Sequence, residues 1–322
     1  MTEPSCSRHA AFALPPYWPL GLDDPGCNVT TSGLLAFDPV ILPHGVTLES
    51  PVTGFPRRGL PDVIVRAGTL ELRLSASIEE LRQFQRLRYD VFYGAGRAVA
   101  DRFKAGLGLD TCPFDRVCDH LYVVETAGAS PQVVGTYRLL RGEVAAREDG
   151  FYSETEFQLG PLLDRHRGRR LLEFGRSCVH PAFRTRRVID LLWLGVSRYA
   201  AHHGSEVMIG CASLAGTRAA DLAVPLSFAF HHAAAPEAWQ VKAHPRRAAR
   251  MDWLDKDNFD ARAALMALPP LMKAYVRAGA TFASEAAVDH AFGTTDLFTV
   301  LPLGDAAPRY MARFGLVPAG VA

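Results

Sequence analysis

"LLEFGRSCVHPAFRTRR", residues 171–187, decides how this chain is read. Its apolar start has the composition of a buried strand. Within it Glu173 and Arg176 stand three residues apart, and in a regular strand such residues point to opposite faces. A carboxylate and a guanidinium on a buried strand are costly unless they are paired or used. A β-bulge is one device that changes this alternation, because it adds one residue to the strand. Gly175, between them, eases such a distortion. The competing reading is a regular strand with one of the two side chains in a buried polar network; separately, Glu173 can be half of a structural ion pair with an Arg.

Charge gathers around the same stretch. Between Arg165 and Arg187 there are eight arginines and one acid, Glu173. The whole chain of 322 residues has a net charge of +1, so the overall balance does not point to nucleic acid. A local basic segment either docks an acidic partner or is a solvated face. The hydrophobic content of 48% supplies one large core or two smaller ones. The six cysteines lack CxxC spacing, and Cys112 and Cys118 fit no common zinc pattern. No metal is expected, Cys178 and Cys211 read as small core residues, and the compartment reads as a reducing cytoplasm. No apolar run has the length of a membrane span, and the N-terminal residues lack a secretory pattern.

Working outward, residues 1–66 are rich in Pro and Gly and read as an irregular N-terminal extension. Residues 67–322 read as one α/β domain. It begins with a strand at 69–76 and a helix at 77–93, where Ser77 and Glu80 form a capping box and Ile78, Leu81, Phe84, Leu87 and Val91 share a face. A polar loop covers 94–117. Strands at 120–127 and 132–140 form a hairpin across "GASP". A strand at 170–180, a helix at 188–204 and a buried strand at 206–214 follow, then a helical region at 217–232. The chain closes with a helix at 269–280, strands near 281–289 and 297–303, and a helix at 308–315.

That order resembles the acyl-CoA N-acyltransferase (GNAT-like) fold, a mixed sheet flanked by helices and splayed between its fourth and fifth strands. Acyltransferases of this fold bulge their fourth strand, so the resemblance implies a bulge near 174–177 that turns Glu173 and Arg176 toward one cleft and frees a backbone N–H near Cys178 or Val179. The motifs are more specific. "LRYDVFY" (87–93), "FDRVCDHL" (114–121), "VVGTYRLL" (133–140), "GFYSETEF" (150–157), "LLEFGRSCVHPAFR" (171–184), "GCASLAGT" (210–217), "LPPLMKAYVRAGA" (268–280) and "VDHAFGTTDLF" (288–298) occur in this order. Together they resemble the ornithine acyl-[acyl-carrier-protein] N-acyltransferases, over about residues 68–316. A more distant similarity is to acyl-homoserine-lactone synthases. It rests on Arg88, Val91 and Phe92 in the first helix, on acids in the next loop where Asp115 and Asp119 stand, on Arg138, and on Glu173 with Arg176. The resemblance implies transfer of a 3-hydroxy fatty acyl chain from acyl carrier protein to the α-amine of L-ornithine. The donor is then an acyl-phosphopantetheine carried on its protein, with no tightly bound cofactor.

The chemistry assigns roles to residue types. An α-ammonium titrates near ~8, so amide formation needs a base, and Glu173 is the candidate. The oxyanion needs a donor, from the backbone near Ser177, Cys178 or Val179. The acceptor's carboxylate suits a guanidinium, with Arg176, Arg138 and Arg88 as unranked candidates and Phe92 beside them. Its side-chain ammonium suits Asp119, Glu154 or Glu156. "RTRRVI" (184–189) lacks the glycines with which acetyl-CoA enzymes of this fold cradle a pyrophosphate. Arg184, Arg186 and Arg187, with Arg167, Arg169 and Arg170, are instead assigned to docking acyl carrier protein. Paired histidines at 202–203 and 231–232 are poor chelates, since helix neighbours do not share a face. Because the product is amphiphilic, a peripheral contact with the inner membrane is expected, and "HPRRAAR" (244–250) reads either as plain surface or as a contact for anionic lipid. Other readings stay open: another amine such as lysine, glutamine or a homoserine-lactone precursor, or a non-catalytic module that binds acyl carrier protein.

Overall fold

The computed structural model describes residues 60–304, apart from 62, 95 and 97, together with the backbone of 41–42 and 46–47. The expected helix at 308–315 lies outside the described residues, as does most of the N-terminal extension. Two short strands, β1 (Ile41–Leu42) and β2 (Val46–Thr47), pair with each other. The other nine form one sheet: β3 (Val63–Ala67), β4 (Leu70–Leu74), β5 (Asp119–Glu125), β6 (Gln132–Arg141), β7 (Leu171–Val179), β8 (Val207–Ala215), β9 (Ala248–Arg250), β10 (Thr281–Asp289) and β11 (Thr294–Pro302). Their spatial order is β3-β4-β5-β6-β7-β8-β11-β10-β9. The helices are α1 (Ile78–Tyr89), α2 (Arg102–Leu107), α3 (Gly142–Ala145), α4 (Gly160–Arg165), α5 (Arg186–His202), α6 (Ala223–His232), α7 (Ala261–Ala267) and α8 (Pro270–Ala278).

The extension was expected to run to residue 66, yet β3 occupies 63–67 and pairs antiparallel with β4. Its Ile64 enters the main core, so the folded domain starts earlier. The capping box is present: Ser77 accepts from Glu80 N at 3.2 Å, and Glu80 accepts from Ser77 N at 3.2 Å. α1 then passes into a π-helical turn, Asp90–Gly94, which buries Val91 and Phe92. One face of the sheet packs against α5 and α8 through Leu121, Tyr137, Phe174, Leu192, Val196 and Tyr275. α1 covers the other face, where Leu81 and Phe84 meet Tyr122 and Val124.

Every neighbouring pair in the sheet is antiparallel except β7 with β8. Those two run parallel and pair only at Leu171 with Val207, Leu172 with Met208 and Glu173 with Ile209. Beyond Glu173 they diverge, which is the expected splay between the fourth and fifth core strands. At the divergence Gly210 lies against the β7 backbone, and a Cβ on it would sit 2.3 Å from Phe174 O. That contact is with main chain, so the strand itself would have to move. Gly210→Ala should cost roughly 1–3 kcal/mol, as overpacking does. It should also lower turnover by shifting β7, and urea unfolding beside steady-state rates checks both.

Candidate active site

The bulge is present. Register between β6 and β7 shifts between the pairs Thr136–Cys178 and Arg138–Gly175, leaving Arg176 and Ser177 opposite Tyr137. The strained residue is Arg176, at φ +50°, not Gly175. The left-handed region is unfavourable for a side chain of this size. The shift brings Glu173 and Arg176 to one cavity, lined also by Arg138, Leu140, Tyr152, Ser153, Phe174, Gly175 and Cys211.

Glu173 is 5% exposed. Its Oε1 accepts from Ser153 N at 2.7 Å and Ser153 Oγ at 2.6 Å, and its Oε2 accepts from Tyr152 N at 2.8 Å. Oε2 therefore keeps a lone pair. Burial lifts the Glu173 carboxyl above its ordinary range, against the pull of these bonds and of Arg138. The competing reading, a structural ion pair, does not describe Glu173: it is held by neutral donors from one loop.

The three candidate arginines have different situations. Arg88 is fully buried and is taken up by acids. Its Nε lies 2.9 Å from Asp110 Oδ2, and its two Nη atoms grip Asp115. Arg138 lines the cavity but donates to Asp115 Oδ1 at 3.1 Å and to Cys112 Sγ. Arg176 donates through Nη1 to Asp110 Oδ2 at 3.2 Å, while its Nε and Nη2 lack hydrogen-bond partners among the described residues. Its guanidinium lies over the rings of Tyr152 and Phe292. Three guanidiniums thus share two buried aspartates, and the surplus positive charge faces the cavity at Arg176. The guanidiniums beside Asp115 hold its carboxyl well below the usual range despite burial.

A backbone donor also faces the gap. His180 N donates to Val134 O at 2.8 Å. Antiparallel ladders alternate, so Val179, next in register to this bonded position, points its N–H away from β6 into the space that β8 has left. Cys178 has its side chain in a cluster with Leu87, Val91, Phe92 and Phe292, and burial pushes its thiol up to about 12. Ser177 is the second bulge residue.

Several sequence assignments need correction. Phe92 packs edge-on to Phe292 in that cluster and does not line the cavity. Asp119 is opposite Leu139 and faces α5, on the other side of the sheet from Glu173. There it bonds Tyr199 and lies 3.5 Å from Arg141, and burial lifts its carboxyl to about 6. Glu154 folds back on its own loop, accepting from Phe151 N at 2.7 Å. Arg88 anchors aspartates and is not open to substrate. The six surface arginines do not form one patch. Arg184 and Arg186 stand where β7 ends, whereas the Arg187 guanidinium lies against Gly68 in the turn between β3 and β4. Arg167, Arg169 and Arg170 stand before the start of β7, a nine-residue strand away, beside Asp164, Glu206 and the Gly204 carbonyl. The sequence reading missed Asp110, which lies in a polar loop without periodicity and is buried only because two distant arginines meet it.

A splayed mixed sheet, a bulged strand at the splay and a cavity holding a raised carboxyl define a GNAT-fold acyltransferase. The acetyltransferase (GNAT) domain family matches residues 87–194. An L-ornithine N(alpha)-acyltransferase of Rhizobium meliloti (strain 1021) is 43% identical over 257 residues, 79% of this chain and 87% of that protein. One of Brucella abortus (strain 2308) is 40% identical over 271 residues, 83% of this chain and 96% of that protein. Among solved structures, FeeM, an N-acyl amino acid synthase from uncultured soil microbes, is 10% identical with a TM-score of 0.41, covering 76% of this chain and 94% of that one. The chain belongs to the L-ornithine N(alpha)-acyltransferase family. Among the described residues no helix is long and apolar enough to cross a membrane.

Proposed function

We propose that the chain transfers a 3-hydroxy fatty acyl group from acyl carrier protein to the α-amine of L-ornithine. The observation that carries this reading is the juxtaposition of a buried, raised carboxyl at Glu173 with the unpaired Nε and Nη2 of Arg176, beside the gap between β7 and β8. Arg176 offers two parallel N–H groups to the acceptor's α-carboxylate, a fit that a guanidinium makes bidentate. That places the α-nitrogen near Glu173, whose Oε2 takes its proton. The neutral nitrogen attacks the thioester carbonyl, forming the C–N bond, and the oxyanion turns to Val179 N–H. Collapse breaks the C–S bond, Glu173 passes its proton to the departing thiolate, and the freed carboxylate takes the second proton from the new amide nitrogen and releases it to solvent.

The donor's pantetheine arm fits the gap between the diverging strands. Its phosphate then meets the first turn of α5, where Thr185 makes no side-chain cap and Arg184 and Arg186 stand close by. A helix N-terminus with free N–H groups favours an anion. A single phosphate suits this turn better than a pyrophosphate, for want of glycine in residues 184–189.

Free-thiol release tests the reading. Purified protein with 3-hydroxyacyl carrier protein should release thiol when ornithine is added, and much less when the same chain is offered on CoA. Release with CoA alone would overturn the carrier-protein donor. Release with a different amine alone would overturn ornithine as acceptor.

A further inference from the structure

The face of the sheet that carries Glu173 continues beyond it. Glu173 is opposite Ile209, and Ile209, Cys211 and Ser213 alternate onto the same face of β8. Register carries that face onto β11, where Cys211 is opposite Phe298 and Ser213 is opposite Asp296. Glu156, just past the 3-10 turn Tyr152–Thr155, and Asp289, at the end of β10, meet Asp296 there. One carboxylate oxygen from each of the three lies within 4.8 Å of the other two. Glu156 and Asp296 are fully buried and Asp289 nearly so.

Asp289 is partly committed: its Oδ1 accepts from Ala291 N and Phe292 N, and its Oδ2 lies 3.5 Å from Arg247 Nη1. The other two acids are not. They face each other and two weak donors, Cys211 beside Glu156 and Ser213 beside Asp296, and no backbone N–H or basic side chain among the described residues bonds their oxygens. Burial and its acidic neighbours lift Glu156 to about 7 and hold Asp296 well above the ordinary carboxylate range. With one guanidinium for three buried acids, the cluster balances its charge either by holding protons, as the raised carboxyls do, or by taking up a cation.

Cys211 connects this cluster to the reaction cavity. Its side chain lines the cavity, and its Sγ lies 3.4 Å from the same Ser153 Oγ that donates to Glu173. On its other side, Glu156 and Asp296 are the charges that, after burial, push its thiol up.

Resting on the function proposed above, we infer that Glu156, Asp296 and Asp289, with Ser213, hold the protonated side-chain ammonium of a diamino-acid acceptor. An ammonium carries three donors, one for each of Glu156, Asp296 and Ser213, and its charge replaces the protons that burial otherwise holds on the acids. With the α-carboxylate on Arg176 and the α-nitrogen at Glu173, the methylenes of the acceptor pass Cys211. The cluster then fixes two properties together. It selects an acceptor with a terminal amine. It also decides which nitrogen is acylated, because the nitrogen kept as ammonium has no lone pair for the thioester.

The test compares ornithine, lysine and norvaline, which has the ornithine carbon skeleton without the terminal amine, in the thiol-release assay. Wild-type kcat/KM for ornithine should exceed that for norvaline on the order of 10²-fold, the scale of a lost charged hydrogen-bonding site. In Glu156→Gln and Asp296→Asn that ratio should fall to within about threefold, chiefly through KM for ornithine, and the ornithine product should become a mixture of α- and δ-amides. Folded variants that keep the wild-type ratio and a pure α-amide would overturn the proposal. Wild-type protein that uses norvaline as well as ornithine would do the same without any variant. Titration with Mg²⁺, Mn²⁺ and Ca²⁺ provides a further arm: tight binding lost in Asp296→Asn would assign the cluster to a metal ion instead. Thiol release with no amine at all would instead sink the function on which this inference rests, and the inference with it.

Discussion

Glu173→Gln should lower kcat by about 10²–10⁴-fold, the usual contribution of a positioned base. KM for the amine should change little, since Arg176 is untouched. The substitution is close to isosteric, and Oε1 can still accept from Ser153 N and Oγ. The new amide nitrogen would face Tyr152 N, so one donor is left unsatisfied, at a cost of about 1–3 kcal/mol in stability. The pH profile separates a base from a structural group. Burial raises the folded-state Glu173 carboxyl, so the proton is bound to higher pH than in an exposed glutamate. Activity should therefore climb with pH along an acid limb lying above the ordinary glutamate value near ~4.3. That limb should be missing from the residual activity of the variant. Wild-type and Glu173→Gln profiles that share the same acid limb would remove Glu173 from the proton transfer. The linkage to stability has the opposite sign: a raised carboxyl favours the fold while protonated, and this share is lost as pH rises through its folded value.

Arg88→Leu should be the most damaging change to stability. Arg88 is fully buried and bridges Asp110 and Asp115. Without it Asp115 retains Arg138 and Asp110 retains Arg176, so two acids keep one guanidinium each, in the protein interior. The Asp110 carbonyl also loses a donor. Removing one partner from a buried ion network costs about 3–5 kcal/mol. For a domain of this size that is a fall in Tm of roughly 6–20 °C. Arg167→Leu is the matched control: its pair with Asp164 leaves both side chains more than 70% exposed, and such pairs contribute about 0–1 kcal/mol. Calorimetry of the two variants checks the contrast. Comparable melting temperatures would mean that the network at Arg88 contributes no more than a surface pair.

Much of this fold was legible because its elements are strongly periodic. The α1 face, the Ser77 cap and the β5–β6 hairpin follow from local pattern, and the bulge follows from the fold resemblance, with Glu173 and Arg176 marking where to look for it. What escaped was non-local. β11 inserts between β8 and β10, an arrangement that chain order does not encode. β3, β9 and α7 are short and have little pattern of their own. The site was legible in Glu173 and Arg176 but not in its partners. Asp119 and Glu154 have the right chemistry, and only strand facing and loop closure remove them. Asp296 left a signal that could have been used: a lone acid in the apolar run "TTDLFTV" (294–300) is either paired or functional. Asp110 left none, since its partners are 22 and 66 positions away.

The short parallel junction has a mechanical consequence. The sheet is two wings, β3 to β7 and β8 with β11, β10 and β9, joined edge to edge by three residue pairs. The last rung of that joint is Glu173 with Ile209. In a wedge, displacement grows with distance from the vertex. Spreading the wings around a bulkier or longer acyl chain therefore moves the far ends of β7 and β8 most and the proton acceptor least. The chemistry sits at the fulcrum, so tolerance of the chain and accuracy at the reacting atoms need not compete.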